Sequence, residues 1–296
     1  MAVGLFLMTK KGLYSLKAIL EHDKKDIAFV VVGEDKSVQN DYSKDIKELC
    51  LKHDLVVFDR KAVDNCPKAS YYLAVSWRWL IDAPKDRLFV IHDSLLPRYR
   101  GFNPLVSCLI NKETRIGASL IVANKDYDSG PILNQMETMV SYPVTISEAI
   151  DSLLHIYKEL SLDFICYVNG HRPEKPKPQT GTPTYSLWRD IDDRVLDWDR
   201  SAAELKRTVD ALGYPYKGAL ALDKDEGYIT IHSCEEVPDV KIENRKAGKV
   251  IRVEDGLPTV VCGKGLLKII SATDQWRDIS ALPLKKFRTQ FCLPLC

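Results

Sequence analysis

The chain has 296 residues, 45% of them apolar, and its 42 Lys and Arg nearly cancel its 41 Asp and Glu, leaving a formal charge of +1. That composition excludes a disordered or collagen-like chain and supplies apolar surface for one large domain or two unequal ones. It disfavours a protein that lives on nucleic acid, which carries a basic excess or a basic face, and no run of about 18 apolar residues is present to cross a membrane.

The opening AVGLFLM stretch is too short for a signal-peptide core and has no charged residue before it, so it is expected to be a first strand over 3–8. Further apolar, non-alternating runs predict strands over 27–32, 55–58, 72–75 and 88–91. Between the first two, residues 12–22 place Leu13, Leu16, Ile19 and Leu20 at helical spacing; between the next two, 42–53 repeat the pattern with Ile46 and Leu49. Strand–helix–strand order with unalternating strands predicts an α/β domain, a doubly wound and mostly parallel sheet covered on both faces. A helix over 103–112, a strand over 115–123 and a last helix over 146–168 complete it. No Gly-x-Gly-x-x-Gly follows the first strand and no P-loop signature occurs, so dinucleotide and P-loop chemistry have no support.

Residues 171–184 (HRPEKPKPQTGTPT) hold four prolines and almost no apolar side chains, the composition of a linker or an extended crossing. Beyond them a helix over 201–212 is followed by short strands over 218–222, 228–232, 249–253, 259–261 and 266–270, separated by Gly and Asp turns. Such even spacing predicts a small, barrel-like C-terminal β-domain. The expected domains are 1–170, a proline-rich linker 171–185, and 186–296. The eight cysteines form no Cys-x-x-Cys pair and are expected to be buried thiols in a reducing cytoplasm, with no metal site; the Cys292/Cys296 pair is a weak candidate.

The chemistry concentrates in FVIHDSLLPRYRGFNP and, 36 positions after His92, in Asp128 of YDSGPIL. A histidine at the carboxyl end of a parallel strand, followed by a Pro/Gly loop, lies where open α/β sheets bind ligands. Asn103-Pro104 can start a helix whose N–H groups face that site. Taken singly, His92 fits a hydrogen-bonded structural residue and Asp-Ser-Gly-Pro an ordinary turn. Their combination, with Ser94-Leu95-Leu96-Pro97 between them, is far less ordinary.

Through His92-Asp93-Ser94-Leu95-Leu96-Pro97 with Gly101, and Asp128-Ser129-Gly130-Pro131-Ile132, the sequence resembles the 10-formyltetrahydrofolate-dependent formyltransferase family. Residues 186–218 resemble the start of that family's C-terminal domain, and the Gly248-Lys249-Val250, Gly256-Leu257-Pro258 and Val261-Cys262-Gly263 run resembles its OB-type barrel. The resemblance implies formyl transfer from N10-formyltetrahydrofolate, a co-substrate, to a primary amine, with His92 and Asp128 catalytic. It implies a pterin pocket lined by 76–82 (SWRWLID) and 124–127, so that Trp77, Trp79, Leu80, Ile81, Pro97, Gly101, Lys125, Asp126 and Tyr127 are the expected folate-binding residues. Either tryptophan has a packing role as an equal alternative. Histidine suits the proton traffic because its unperturbed pKa is about 6.5, and Asp128 would orient the ring or order a relaying water.

One departure stands out. The family carries an asparagine two residues before the histidine, donating to the oxyanion, and this chain has Val90 there. Losing one such donor costs about 10²–10³ in rate, so the His92 ring, a backbone N–H or Asn103 must replace it. A catalytically impaired folate-binding protein is the remaining alternative. For the acceptor, two branches compete: a nucleotide-linked amino sugar and methionyl-tRNA. The neutral charge, Asp190-Ile191-Asp192-Asp193 and the CEEVPD stretch at 234–239 favour the sugar; the basic run Lys285-Lys286-Phe287-Arg288 is the counterexample. Arg98 and Arg100 can grip an anionic substrate, and Tyr214 and Tyr216 can stack a base or sugar. With Asn103, these are the expected substrate-binding residues. No membrane partner is expected, a tRNA partner is disfavoured, and a homodimer is left open.

Overall fold

Five apolar strands, β1 (Val3–Leu7), β2 (Ile27–Val32), β3 (Val57–Asp59), β4 (Tyr71–Val75) and β5 (Leu88–His92), pair in parallel. A two-residue strand β6 (Arg100–Gly101) follows, then β7 (Arg115–Val122) and β8 (Ile132–Met139). The seven-stranded sheet has the order β3-β2-β1-β4-β5-β7-β8, with β7 antiparallel to β5 and β8 antiparallel to β7. Helices α1 (Thr9–His22) and α2 (Ser43–Lys52) connect the first strands; α3 (Pro104–Ile110) and α4 (Ile146–Val168) come later. The computed structural model describes residues 1–22, 24–277 and 279–294. One unit comprises Met1–Leu105, Thr114–Val140 and Ala149–Leu187; the other comprises Val106–Glu113, Ser141–Glu148 and the chain from Trp188 onward.

The α/β class and the mostly parallel sheet agree with the sequence expectation. Strand β8 is the addition: from Asn134 to Met139 half-buried and exposed residues alternate and none is buried, and Asn134, Gln135 and Glu137 give it the polar look of a loop. Side chains alternate along a strand, so Leu88, Val90 and His92 share one face of β5 and Phe89 and Ile91 the other. On the Phe89 face its ring lies 5.2 Å from Phe164 of α4, and α1 joins α4 through Lys10 and Asp151 at 2.5 Å. The His92 face is built differently. Its core of Phe6, Phe29, Val31, Tyr72 and Ala74 is covered by Val63, Cys66, Ala69, Trp77, Ile81 and Ala83, which lie on a 3-10 turn (Arg60–Asn65) and coil. Residues 60–70 leave no room for a full crossover helix and its two turns. The sheet is therefore covered on both faces, but on the His92 face by loops.

The proline-rich segment runs extended along the first unit: Lys177 bridges Ile132, and β9 (Tyr185–Ser186) pairs in parallel with β6. The second unit holds α5 (Ala202–Leu212) and strands β10 (Ala219–Asp223), β11 (Gly227–Val237), β12 (Val250–Glu254), β13 (Leu257–Val261), β14 (Leu266–Asp274) and β15 (Phe291–Cys292). They form an antiparallel sheet in the order β12-β13-β14-β11-β10-β15. Its two edges meet through the Lys249–Gln290 bridge and the Phe291 N–H donating to Gly248 O at 2.8 Å, so the sheet curls into a barrel. Gly248 sits at φ +79°, and a Cβ there would lie 2.0 Å from Phe291 O, so closure requires glycine at this position.

Helix α5 begins with a capping box in which the Ser201 side chain accepts from Glu204 N and Glu204 accepts from the Ser201 N–H. Those hydrogen bonds from the Ser201 hydroxyl and N–H hold the Glu204 carboxyl below its ordinary pKa. A depressed carboxylate contributes stability above its unfolded pKa and loses it as pH falls through the folded one. Ser201→Ala is expected to cost about 1 kcal/mol at neutral pH, with the difference from the unaltered protein shrinking in acid; chemical denaturation at both pH values measures it.

Candidate active site

His92 is the last residue of β5, buried, with both ring nitrogens facing oxygen. Nε2 lies 2.8 Å from Tyr99 O and Nδ1 lies 3.4 Å from Asp128 Oδ1. A carbonyl only accepts, so Nε2 carries a proton and Nδ1 is the nitrogen left to gain or lose one. The other carboxylate oxygen of Asp128 accepts from the Gly101 N–H at 2.8 Å, which fixes its orientation. At 3.4 Å the Nδ1–carboxylate contact is a loose ion-pair contact, longer than an ordinary hydrogen bond, and a polar group that approaches beside the pair can exchange a proton with either. Asp128 reaches His92 by an unexpected route. Strand β7 is antiparallel to β5, so loop 123–131 leaves it beside Leu88, where the Ala123 N–H donates to Leu88 O at 2.8 Å, before Asp128 returns to the histidine.

The loop after His92 is held at each turn. The Ser94 hydroxyl donates to Arg98 O at 2.7 Å, the Ser119 hydroxyl donates to Ser94 O at 2.6 Å, and Gln135 Nε2 donates to Leu96 O at 3.0 Å. Tyr99, Gly101, Asn103 and Asp128 all adopt positive φ, of 57°, 97°, 46° and 50°. Such clustering of rare backbone states persists only where surroundings over-determine it. At Gly101 a Cβ would meet Ser186 O at 2.6 Å, so an alanine would push away the N–H that holds Asp128.

Sequence reasoning missed three supports. Gln179 donates to Asp128 O at 2.7 Å and Gly130 O at 2.8 Å while accepting from Arg100. Thr184 Oγ1 accepts from the Tyr99 N–H at 2.9 Å. Both belong to the segment whose prolines hide any such role. The third is an ion pair of Lys11 with Asp93, the residue after His92, to which the Tyr157 hydroxyl also donates. Lys11 alone would read as one of two helix-start lysines.

The loop after β4 leaves the sheet at the same edge as His92, since Val75 pairs with Ile91. Trp77 packs into the core against Phe6 at 5.1 Å and Trp79 at 5.0 Å, and its Nε1 is buried with no hydrogen-bond partner among the described residues. The Arg60 guanidinium covers the Trp79 ring at 4.1 Å, Ile81 joins the core, and Leu80 is 93% exposed. Lys125, Asp126 and Tyr127 are exposed on the Asp128 loop, where Tyr127 meets Phe102 at 5.9 Å, an aromatic the sequence did not single out. Pro97 O accepts from the Thr184 N–H at 3.2 Å. The Arg98 guanidinium lies over Tyr99 at 5.1 Å, and that of Arg100 is occupied by Gln179. Asn103 precedes α3, half-buried; Val90 packs into the apolar core of the His92 face. Tyr214 and Tyr216 belong to the second unit, just after α5. Among the described residues no group of three His, Cys, Asp or Glu could hold a metal; Cys296 lies outside them. No described helix is long and apolar enough to cross a membrane.

Two family models match the chain: formyl transferase over residues 23–163 and formyl transferase, C-terminal domain, over 190–284. The methionyl-tRNA formyltransferase of Thermodesulfovibrio yellowstonii is 28% identical over 281 residues, covering 90% of this chain and 88% of that protein. Among solved structures, the N-formyltransferase of Helicobacter canadensis in complex with folinic acid and dTDP-3-aminofucose superposes with a TM-score of 0.69 at 14% identity, covering 92% of this chain and 100% of the other. WlaRD, a sugar 3N-formyl transferase crystallised in the presence of dTDP and 5-N-formyl-THF, gives 0.64 at 14% identity over 100% and 99%. At these identities the structural matches speak for the fold.

Proposed function

The chain belongs to the formyl transferase family, and we propose that it transfers a formyl group from N10-formyltetrahydrofolate to the primary amine of a nucleotide-linked amino sugar, with His92 and Asp128 moving the protons. The observation that carries this reading is the His92–Asp128 pair, with Nε2 fixed on Tyr99 O and the carboxylate fixed by the Gly101 N–H, so that proton exchange is confined to one nitrogen and one oxygen. The residues nearby fit the folate. Trp77 offers an unpartnered buried N–H, and Leu80 an uncovered apolar side chain, on the loop that leaves the His92 edge; a flat heterocycle with hydrogen-bond acceptors suits both. The folate supplies the activated formyl carbon. The amine must arrive neutral, and the Nδ1–Asp128 pair is where the proton it sheds on attack can be taken up.

For the acceptor, the charge supports a small molecule over a polyanion. Within the second unit, Lys285 pairs with Glu226 at 2.5 Å, and Lys286 with Asp225 at 3.5 Å and Glu226 at 3.7 Å, so the one basic run is partly neutralised. Sugar N-formyltransferases are among the solved proteins that share this fold, so the fold is compatible with such an acceptor. Methionyl-tRNA is the second reading, favoured by the name of the Thermodesulfovibrio relative. A fluorescence titration separates them, using the tryptophans beside the site. Tetrahydrofolate is expected to quench saturably, and thymidine diphosphate to add a second saturable change. A response to initiator tRNA with none to the nucleotide would overturn the sugar reading.

A further inference from the structure

We infer that the Asn103 carboxamide donates the hydrogen bond that stabilises the oxyanion of formyl transfer; this rests on the formyl-transfer reading above. As the amine nitrogen bonds to the formyl carbon, the carbonyl electron pair moves onto oxygen. An amine proton leaves toward the His92–Asp128 pair, and a proton returns to the folate N10 as its bond to the formyl carbon breaks. Products are a formamide and tetrahydrofolate. A preorganised donor at the charged oxygen is worth about 10²–10³ in rate.

The surroundings of His92 leave few candidates for that donor. On its own face of β5 the neighbouring side chain is Val90, packed into an apolar core. His92 Nε2 is committed to Tyr99 O. In the loop that follows, the N–H groups of Tyr99, Arg100, Gly101 and Phe102 go to Thr184 Oγ1, Thr184 O, Asp128 Oδ2 and Ser186 O in turn. The Arg100 guanidinium is bound to Gln179. Asn103 comes next, with no partner for its carboxamide among the described residues. It is only two residues beyond the N–H that grips Asp128, a span of about 7 Å at most.

Its backbone also argues for a role. Asn103 holds φ +46° directly before Pro104, where steric contact with the proline ring restricts the preceding residue to extended conformations. A left-handed residue there costs free energy, and no side-chain hydrogen bond of its own offsets it. Asn103 carries an amide, two N–H donors on a short side chain, at the end of the loop that holds Asp128.

Asn103→Gly removes the amide while relieving the positive φ. The readout is formate release from N10-formyltetrahydrofolate with water as acceptor, a reaction through the same oxyanion that needs no named amine. Asn103→Gly is expected to slow it by about 10²–10³, with tetrahydrofolate quenching and Tm unchanged. Val90→Asn placed in the Asn103→Gly protein is expected to restore most of the rate. Release within about threefold of the unaltered rate, or a slowing matched by lost tetrahydrofolate affinity, overturns the inference. Where the unaltered protein releases no formate, the same comparison is read on transfer to an amine acceptor; no formate release and no transfer to any amine removes the formyl-transfer reading, and the role of Asn103 with it. Formate release without transfer to any sugar overturns only the choice of acceptor.

Discussion

Replacing His92 with alanine is expected to slow formyl transfer by about 10³-fold while leaving tetrahydrofolate affinity within about twofold. The split follows from geometry. The ring is buried behind the loop it holds, with Nε2 on Tyr99 O, and its Nδ1 faces the carboxylate of Asp128. Such a group acts on protons in the transition state and offers little surface to bound folate. His92→Ala also frees Tyr99 O, which can take a water in the vacated space. A kcat loss with little change in KM identifies the proton role; equal loss in both would mean that the ring serves the shape of the pocket. Full activity in the variant would remove the mechanism.

Asp128→Asn is expected to be nearly as damaging, about 10²–10⁴-fold in kcat. The amide oxygen can still accept from the Gly101 N–H, as Asp128 Oδ2 does at 2.8 Å. The amide nitrogen then faces Nδ1 and presents a donor where a carboxylate presented an acceptor. The ring loses the partner that stabilises a proton on Nδ1, and the site can neither collect the amine proton nor hold it. Because the side-chain volume is unchanged and the main-chain carbonyl of residue 128 still meets Gln179, the loop should keep its place. An unchanged Tm with a collapsed kcat is the expected pair of results. A variant as active as the original would mean that Asp128 merely closes a turn.

Much of this was legible in the sequence because it is local. Apolar runs fix β1, β2 and β5, and helical spacing gives α4 with the bounds found, Ile146–Val168. The His92 and Asp128 motifs announce themselves by residue type. What the sequence could not give depends on partners far along the chain. Gln179 and Thr184 sit in a proline-rich stretch that predicts no structure, yet they tie Asp128 and Tyr99 in place. The covering of Trp79 by Arg60 depends on two loops meeting, and no local pattern encodes it. The same holds for barrel closure at Gly248, where a glycine in a Gly-Lys-Val run looks like any turn residue until Phe291 O is found against it. Strand β8 was lost for another reason: an edge strand with polar outer positions resembles a loop when its partner is unknown.

The measurement that tests the central claim most directly is turnover. The purified chain would be incubated with N10-formyltetrahydrofolate and, separately, with nucleotide-linked amino sugars and methionyl initiator tRNA, and each acceptor followed for the mass of one added formyl group. Formylation of a sugar amine, slowed about 10³-fold by His92→Ala and absent on the tRNA, is the predicted result. Formylation of the tRNA alone, or of neither acceptor while tetrahydrofolate still binds, would contradict it.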